Sequence, residues 1–263
     1  MIEIIIWLMV QIITESLPVS SSGHIALFER LYAFMTGSTI DAAVICPQRT
    51  LNAVAHIPAL LIIALYYYQR WLPLIVHPLR YRRVVISLGM YTLVSSGITA
   101  LVYFTLKPQS ILYLPLAPGM IITALAIASL SFAPVGRDRI TLFKAVILGV
   151  VQSIALLPGI SRMGICYVVA RWLGIPTHKA LAYTALIQVP LLCGALFLEV
   201  VSGSFTRCLI ELLNWQILAG MLTSSVISWY AFCWARTCAY QQRWWIFVPY
   251  LLAMSVIMLM LGI

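Results

Sequence analysis

The sequence predicts an all-α polytopic membrane protein: six full spans plus two re-entrant broken-helix hairpins, arranged as an inverted-topology repeat. Three observations predict it. The chain is 63% hydrophobic and only 9% charged, whereas a soluble domain carries roughly 25% charged residues. Long uncharged runs recur along its whole length, so residues 1–263 read as a single integral membrane domain. Two of those runs, half a chain apart, are each interrupted in the middle by a polar patch containing Pro or Gly.

In chain order, residues 2–28 are the first interrupted region, broken at "SLPVSSSGH". Glu3 stands where a secretory signal would be basic and no small-residue cleavage site follows, so the region is read as part of the domain. A bilayer-spanning helix needs about 20 mostly apolar residues, and residues 51–69, 84–106 and 110–134 meet that requirement. Pro and Gly within such spans are expected to kink rather than break them. Residues 145–170 are the second interrupted region, broken at "LLPGISRMG". Residues 180–201, 215–235 and 244–263 complete the six spans. The halves are 1–134 and 135–263. "VQIITESLPVSS" (10–21) lies over "VQSIALLPGIS" (151–161) with one gap, 141 positions apart. Broken hydrophobic segments at matching positions in two halves point to a repeat-built site near the bilayer midplane.

Charge sets the orientation. If both interrupted regions return to their own side, loops 70–83, 137–144, 171–179 and 236–243 share one face and hold eleven of the sixteen Lys/Arg. The opposite face holds Arg30, Arg49, Lys107 and Arg207. The positive-inside rule makes the richer face cytoplasmic. The first hairpin then enters from outside and the second from inside. A net charge of +9 spread over short loops is a topology signal rather than a nucleic-acid footprint. Trp71, Trp215, Trp244 and Trp245 fall at span ends, where an aromatic belt places them. Cys46, Cys166, Cys193, Cys208, Cys233 and Cys238 form no CxxC pair and are expected to be buried apolar residues, not disulfides or metal ligands.

Chemistry concentrates in the two interruptions. Glu15 is the one acidic residue deep in an apolar helix beside a polar break, and an intramembrane carboxylate costs roughly 2.5–3.5 kcal/mol. Its bland role would be to brace the broken helix, for example against Arg162. Gln11, one turn earlier, shares its face. "SSSGH" (Ser20, Ser21, Ser22, Gly23, His24) supplies hydroxyls and an imidazole, although serines also satisfy freed backbone groups at a helix break. "PGISRMG" supplies Arg162, Ser161 and Gly159. The arginine fork suits phosphate oxygens, and half-helix N-termini attract anions. His56, a turn after Asn52, is equally readable as structural. A carboxylate, a nucleophile or base, hydroxyls and a cation together suit phosphoryl transfer, where positioning and charge neutralisation dominate.

These residues resemble the bacterial undecaprenyl-diphosphate phosphatases of the bacitracin-resistance type. That family's signatures are (E/Q)xxxE…PVSSxGH and PGxSRSxxT. "QIITESLPVSSSGH" matches the first closely and "PGISRMGIC" matches the second in part. The resemblance covers essentially the whole chain. It implies hydrolysis of undecaprenyl diphosphate to undecaprenyl phosphate, recycling the lipid carrier of peptidoglycan synthesis at the inner membrane. It implies an outward-opening site, a divalent cation (Mg2+ or Ca2+) with no organic cofactor, competition with bacitracin for the substrate, and a homodimer as an assembly to test. Carried over by position, Gln11 and Glu15 hold the cation or position water. Ser21 or His24 is nucleophile or base. Ser20, Ser22, Gly23, Gly159 and Ser161 hold phosphate oxygens, and Arg162 clamps the diphosphate. Three departures stand out: Gln11 is the less acidic permitted choice, Met163 replaces a serine, and Cys166 replaces a threonine. The expectation is an active but divergent enzyme.

A phosphatidic-acid-phosphatase reading fails, because its histidine and aspartate positions are Val168 and Trp172 here. The alternative from another class is a polyprenyl-phosphate flippase or other carrier, since broken-helix repeats are also a transporter design. A carrier needs the anion clamp but no nucleophile or base.

Overall fold

The computed structural model describes residues 2–37, 47–105, 115–137, 139–203, 205, 208 and 212–262. Among them the regular structure is entirely helical. In chain order the helices are α1 (Ile2–Glu15), α2 (Ser21–Thr36), α3 (Gln48–Val76), α4 (Arg82–Thr105) and α5 (Leu116–Ala128). Then follow α6 (Leu142–Ile154), α7 (Arg162–Trp172), α8 (Thr177–Val201), α9 (Trp215–Tyr240) and α10 (Phe247–Leu261). Five helical stretches are long and apolar enough to cross a membrane: α3, α4, α8, α9 and Trp244–Leu261. The expected span 110–134 is shorter among the described residues. It consists of α5, 13 residues long, and a 3-10 turn at Ser129–Phe132. Large apolar side chains such as Ile86, Leu93 and Leu101 on α4 and Val256 and Leu259 on α10 are exposed, as lipid-facing positions are.

Both interrupted regions are pairs of short helices joined by irregular backbone, as read from the sequence. α1 packs on α2, and α6 on α7. The long helices hold them. α4 lies along α6, α9 along α1, α3 against α8, and α5 against α10. Small and hydroxylated residues make these approaches close. Ser95 donates to the Ala145 carbonyl at 2.7 Å and Thr99 to the Gly149 carbonyl at 3.2 Å, while Gly149 sits against the Ser95 backbone. On the other side Ser228 of α9 donates to the Ile12 carbonyl at 2.9 Å and pairs with Ser16 at 2.5 Å. That satisfies an acceptor in the last turn of α1, where a helix lacks internal partners.

Two sequence readings change. Arg236 does not lie in a loop. α9 continues to Tyr240, and the arginine is buried within its last turns. Four cysteines (Cys166, Cys193, Cys233 and Cys238) are free, as expected, but only Cys166 and Cys238 are buried, Cys193 is exposed, and Cys208 is disulfide-bonded. Spacing reveals only local pairs such as CxxC, and Cys208 has no cysteine within a CxxC spacing. Cys46, Lys107 and Arg207 lie outside the described residues.

Candidate active site

The two breaks have one local design. α1 ends at Glu15, and Ser16 and Leu17 make turn bonds to Ile13 and Thr14. Pro18, with no N–H to give, cannot continue the helix. α2 restarts at N-cap Ser20 (φ −80°, ψ 113°), whose hydroxyl accepts from Gly23 N–H at 3.2 Å. In the second half α6 ends at Ile154, Pro158 and Gly159 break the chain, and Ser161 (φ −78°, ψ 112°) caps α7 by accepting from Gly164 N–H at 3.1 Å. A serine N-cap with glycine three residues on therefore recurs, with nearly identical dihedrals. Gly159 has φ +81°, and a Cβ there would collide with the Leu116 carbonyl oxygen, so only glycine fits. Thr123 of α5 anchors this break by accepting from Ser161 N–H at 3.0 Å.

The breaks meet. Ser22 Oγ accepts from Gly159 N–H at 3.3 Å and lies 3.0 Å from Ser20 Oγ. Ser21 Oγ donates to Glu15 Oε2 at 2.8 Å, linking the end of α1 to the start of α2. Glu15 lines a cavity shared with Ser16, Met163, Thr184 and Gln188. His56 of α3 and Arg162 of α7 are its electrostatic neighbours. No direct ion pair joins Glu15 and Arg162 among the described residues. Instead Arg162 Nε and His56 Nδ1 are buried without hydrogen-bond partners. A carboxylate bonded to a hydroxyl, with Arg162 Nε left unpaired near it, leaves an arginine donor for an incoming anion.

His24 is held at both ring nitrogens. Nδ1 lies 2.6 Å from the Ser20 carbonyl, an obligate acceptor, so Nδ1 carries the proton. Nε2 lies 2.5 Å from Tyr250 Oη, whose O–H therefore donates to the ring's lone pair. The two rings stack with centroids 5.6 Å apart. This tautomer keeps Nε2 basic whenever Tyr250 releases it.

The structure thus brings Glu15, Ser21, Arg162 and His56 together, and Gln11 is buried on the Glu15 face of α1. Ser20 and Ser161 spend their hydroxyls on caps, and the Gly159 N–H is taken by Ser22. What the breaks retain for an anion is Arg162 and the first N–H groups of α2 and α7, which have no intrahelical partners. Gly23 is packed against Met120 and Met258. Met163 turns its apolar side chain into the cavity where the resembled pattern has a hydroxyl, and Cys166 is buried. Sequence reading missed Tyr250 and undervalued His56. Each comes from a helix distant in sequence, and only the polar identity of a residue inside an apolar run could have flagged it.

The residues also bear on a cation. Among those described, no three His, Cys, Asp or Glu side chains cluster as a metal cage. Glu15 Oε2 is engaged by Ser21. The remaining donor set is one carboxylate oxygen and the Gln11 amide oxygen, which suits a hard cation such as Mg2+ only when phosphate oxygens and water complete the shell.

A family model described as bacitracin resistance protein BacA matches residues 4–257. Among similar proteins, the undecaprenyl-diphosphatase of Desulforudis audaxviator is 27% identical over 96% of this chain and 95% of its own. That of Geobacter metallireducens is 30% identical over 73% and 72%. That of Moorella thermoacetica is 24% identical over 85% and 83%.

Proposed function

This chain belongs to the bacitracin resistance protein BacA family, and on that premise we propose how its site works. The protein is a multi-pass membrane hydrolase that converts undecaprenyl diphosphate to undecaprenyl phosphate and inorganic phosphate. The observation that carries the mechanism is the 2.8 Å hydrogen bond from Ser21 to Glu15, at a cavity beside the unpaired Arg162.

Arg162 and the N-termini of α2 and α7 bind the diphosphate and stabilise charge as it develops. Ser21 Oγ attacks the terminal phosphorus and its proton passes to Glu15. The bond from that phosphorus to the bridging oxygen breaks, and undecaprenyl phosphate leaves. Water then attacks the phosphoserine, giving its proton to His24 Nε2 once Tyr250 has moved off. The phosphorus–Oγ bond breaks, Ser21 recovers a proton from Glu15, inorganic phosphate departs, and His24 Nε2 releases its proton to water before Tyr250 returns. His24 is one helical turn beyond Ser21, so both present to one face. Gln11 and Glu15 Oε1 would hold a Mg2+ or Ca2+ ion arriving with the substrate, and such an ion supplies charge neutralisation of the diphosphate.

The halves form an inverted repeat around this site. The matching serine caps support that reading. So does the packing, because exchanging the halves turns the α4–α6 contact into α9–α1 and leaves α3–α8 and α5–α10 unchanged. The site opens to the outer face of the inner membrane. Disulfides persist in oxidising compartments, and disulfide-bonded Cys208 falls in the stretch between α8 and α9 that the Lys/Arg count assigns to the outer face. The prenyl chain runs along the lipid-exposed helices. The test is phosphate release from undecaprenyl diphosphate by the purified protein. Turnover is expected with Mg2+ or Ca2+ present, and its absence across both ions would sink the hydrolase reading.

A further inference from the structure

Arg236 has surroundings that neither the fold nor the hydrolytic site explains. It is 3% exposed in the last turns of α9. Its guanidinium carbon lies 4.3 Å from the Tyr66 ring centre and 4.7 Å from that of Tyr67, with Tyr240 and Phe232 at 5.6 and 5.7 Å. One Nη donates to Tyr240 Oη at 3.0 Å, while Nε is buried without a partner. Among the described residues it makes no ion pair with a carboxylate. Aromatic faces offset part of the cost of burying the charge, but they offer no acceptor to an N–H donor.

Arg236 also lines the cavity that Glu15 lines, and so does Thr184, whose hydroxyl is likewise buried and unpartnered. Tyr67 Oη, on a ring beside the guanidinium, is a third buried polar atom without a partner. A planar fork with a spare donor and a hydroxyl in the same cavity is the donor set for a tetrahedral oxyanion. When no cation is held at Glu15, its carboxylate repels an anion, which favours the Arg236 part of the cavity for such a ligand.

We propose that Arg236 and Thr184 form a second phosphate-class anion site, separate from the Arg162 clamp, that receives inorganic phosphate or the headgroup of a prenyl monophosphate. The inference rests on the hydrolase reading only for its choice of probes.

The experiment is a calorimetric or phosphorus-NMR titration of the purified full-length protein in detergent. The probes are inorganic phosphate and, separately, a short-chain prenyl monophosphate. The proteins are wild type, Arg162→Gln, Arg236→Met and Thr184→Val. Two classes of site are expected in the wild type. Arg162→Gln retains one, Arg236→Met loses that one, and Thr184→Val weakens it by about tenfold. In Arg162→Gln, binding of inorganic phosphate alone marks a free-phosphate site, and binding of both probes marks a headgroup site. A single class that Arg162→Gln abolishes would overturn the proposal. So would two classes that persist in both cavity variants, which would leave Arg236 as a purely aromatic-caged cation. Should Arg236→Met fail to fold, Thr184→Val decides by itself, since valine matches threonine in shape. Equilibrium binding is read without turnover, so an inactive protein would defeat the hydrolase reading and leave this one standing or falling by its own data.

Discussion

Glu15→Gln is expected to lower kcat for undecaprenyl diphosphate by about 10³–10⁴-fold, the upper range for loss of a positioned base. Glutamine has nearly the same size, and its amide oxygen can still accept from Ser21 Oγ at the 2.8 Å position. It cannot take the proton. The fold should lose only a little stability, because the change removes the negative charge facing His56 and Arg162. An intramembrane carboxylate costs roughly 2.5–3.5 kcal/mol, and the substitution breaks no direct ion pair. Steady-state phosphate release and a thermal melt followed by circular dichroism check both halves. A variant that keeps more than a few per cent of wild-type kcat would show that the Ser21 proton goes elsewhere. A variant that loses activity together with its fold would return Glu15 to the role of helix brace.

Arg162 is the second large effect. Arg162→Ala should cost about 10³–10⁵ in kcat, the range for removing an arginine that stabilises phosphoryl-transfer charge. Arg162→Lys keeps the positive charge but not the fork, and should recover only part of the loss, remaining about 10²-fold down. Neither change should lower stability much, because the wild-type side chain has a buried donor with nothing to receive it. The separation of Ala from Lys carries the information. If lysine restores full activity, a point charge suffices and bidentate recognition of the diphosphate is not used. If both variants unfold, Arg162 is holding the second break rather than the substrate. Arg162 belongs to the apolar α7, and its own break supplies no acid, so its function has to be supplied by whatever enters beside Glu15.

Much of this was readable from the residues. Pro18 and the run Pro158-Gly159 end helices by covalent geometry, so the two interruptions and their serine caps follow from local chemistry. Glu15 and Arg162 declare themselves because charge in an apolar helix is expensive. The Glu15–Ser21 bond is also local, spanning a single break. What escaped the sequence depends on partners distant along the chain. Tyr250 reaches His24 from α10, His56 reaches Glu15 from α3, and Ser228 closes the end of α1 from α9. Arg236 was misplaced because a basic residue near a span end reads as a loop charge. Three tyrosines and a phenylalanine from two helices were needed to bury it. The roles given to Ser20, Ser161 and Gly159 were partly consumed by structure, since a hydroxyl that caps a helix and an N–H already bonded to Ser22 have less to offer a phosphate.

In the proposed reaction Ser21 is the nucleophile, Glu15 its base and His24 the base for the second half-reaction. The most direct measurement is a rapid quench of the purified enzyme with undecaprenyl diphosphate radiolabelled at its terminal phosphate, followed by denaturation and peptide mapping. A transient acid-stable label is expected on the peptide bearing Ser21, with more label in His24→Ala because the phosphoserine persists, and none in Glu15→Gln or Ser21→Ala. Turnover with no label on the protein at any time, in wild type and His24→Ala alike, would contradict this reaction and make water the direct attacker.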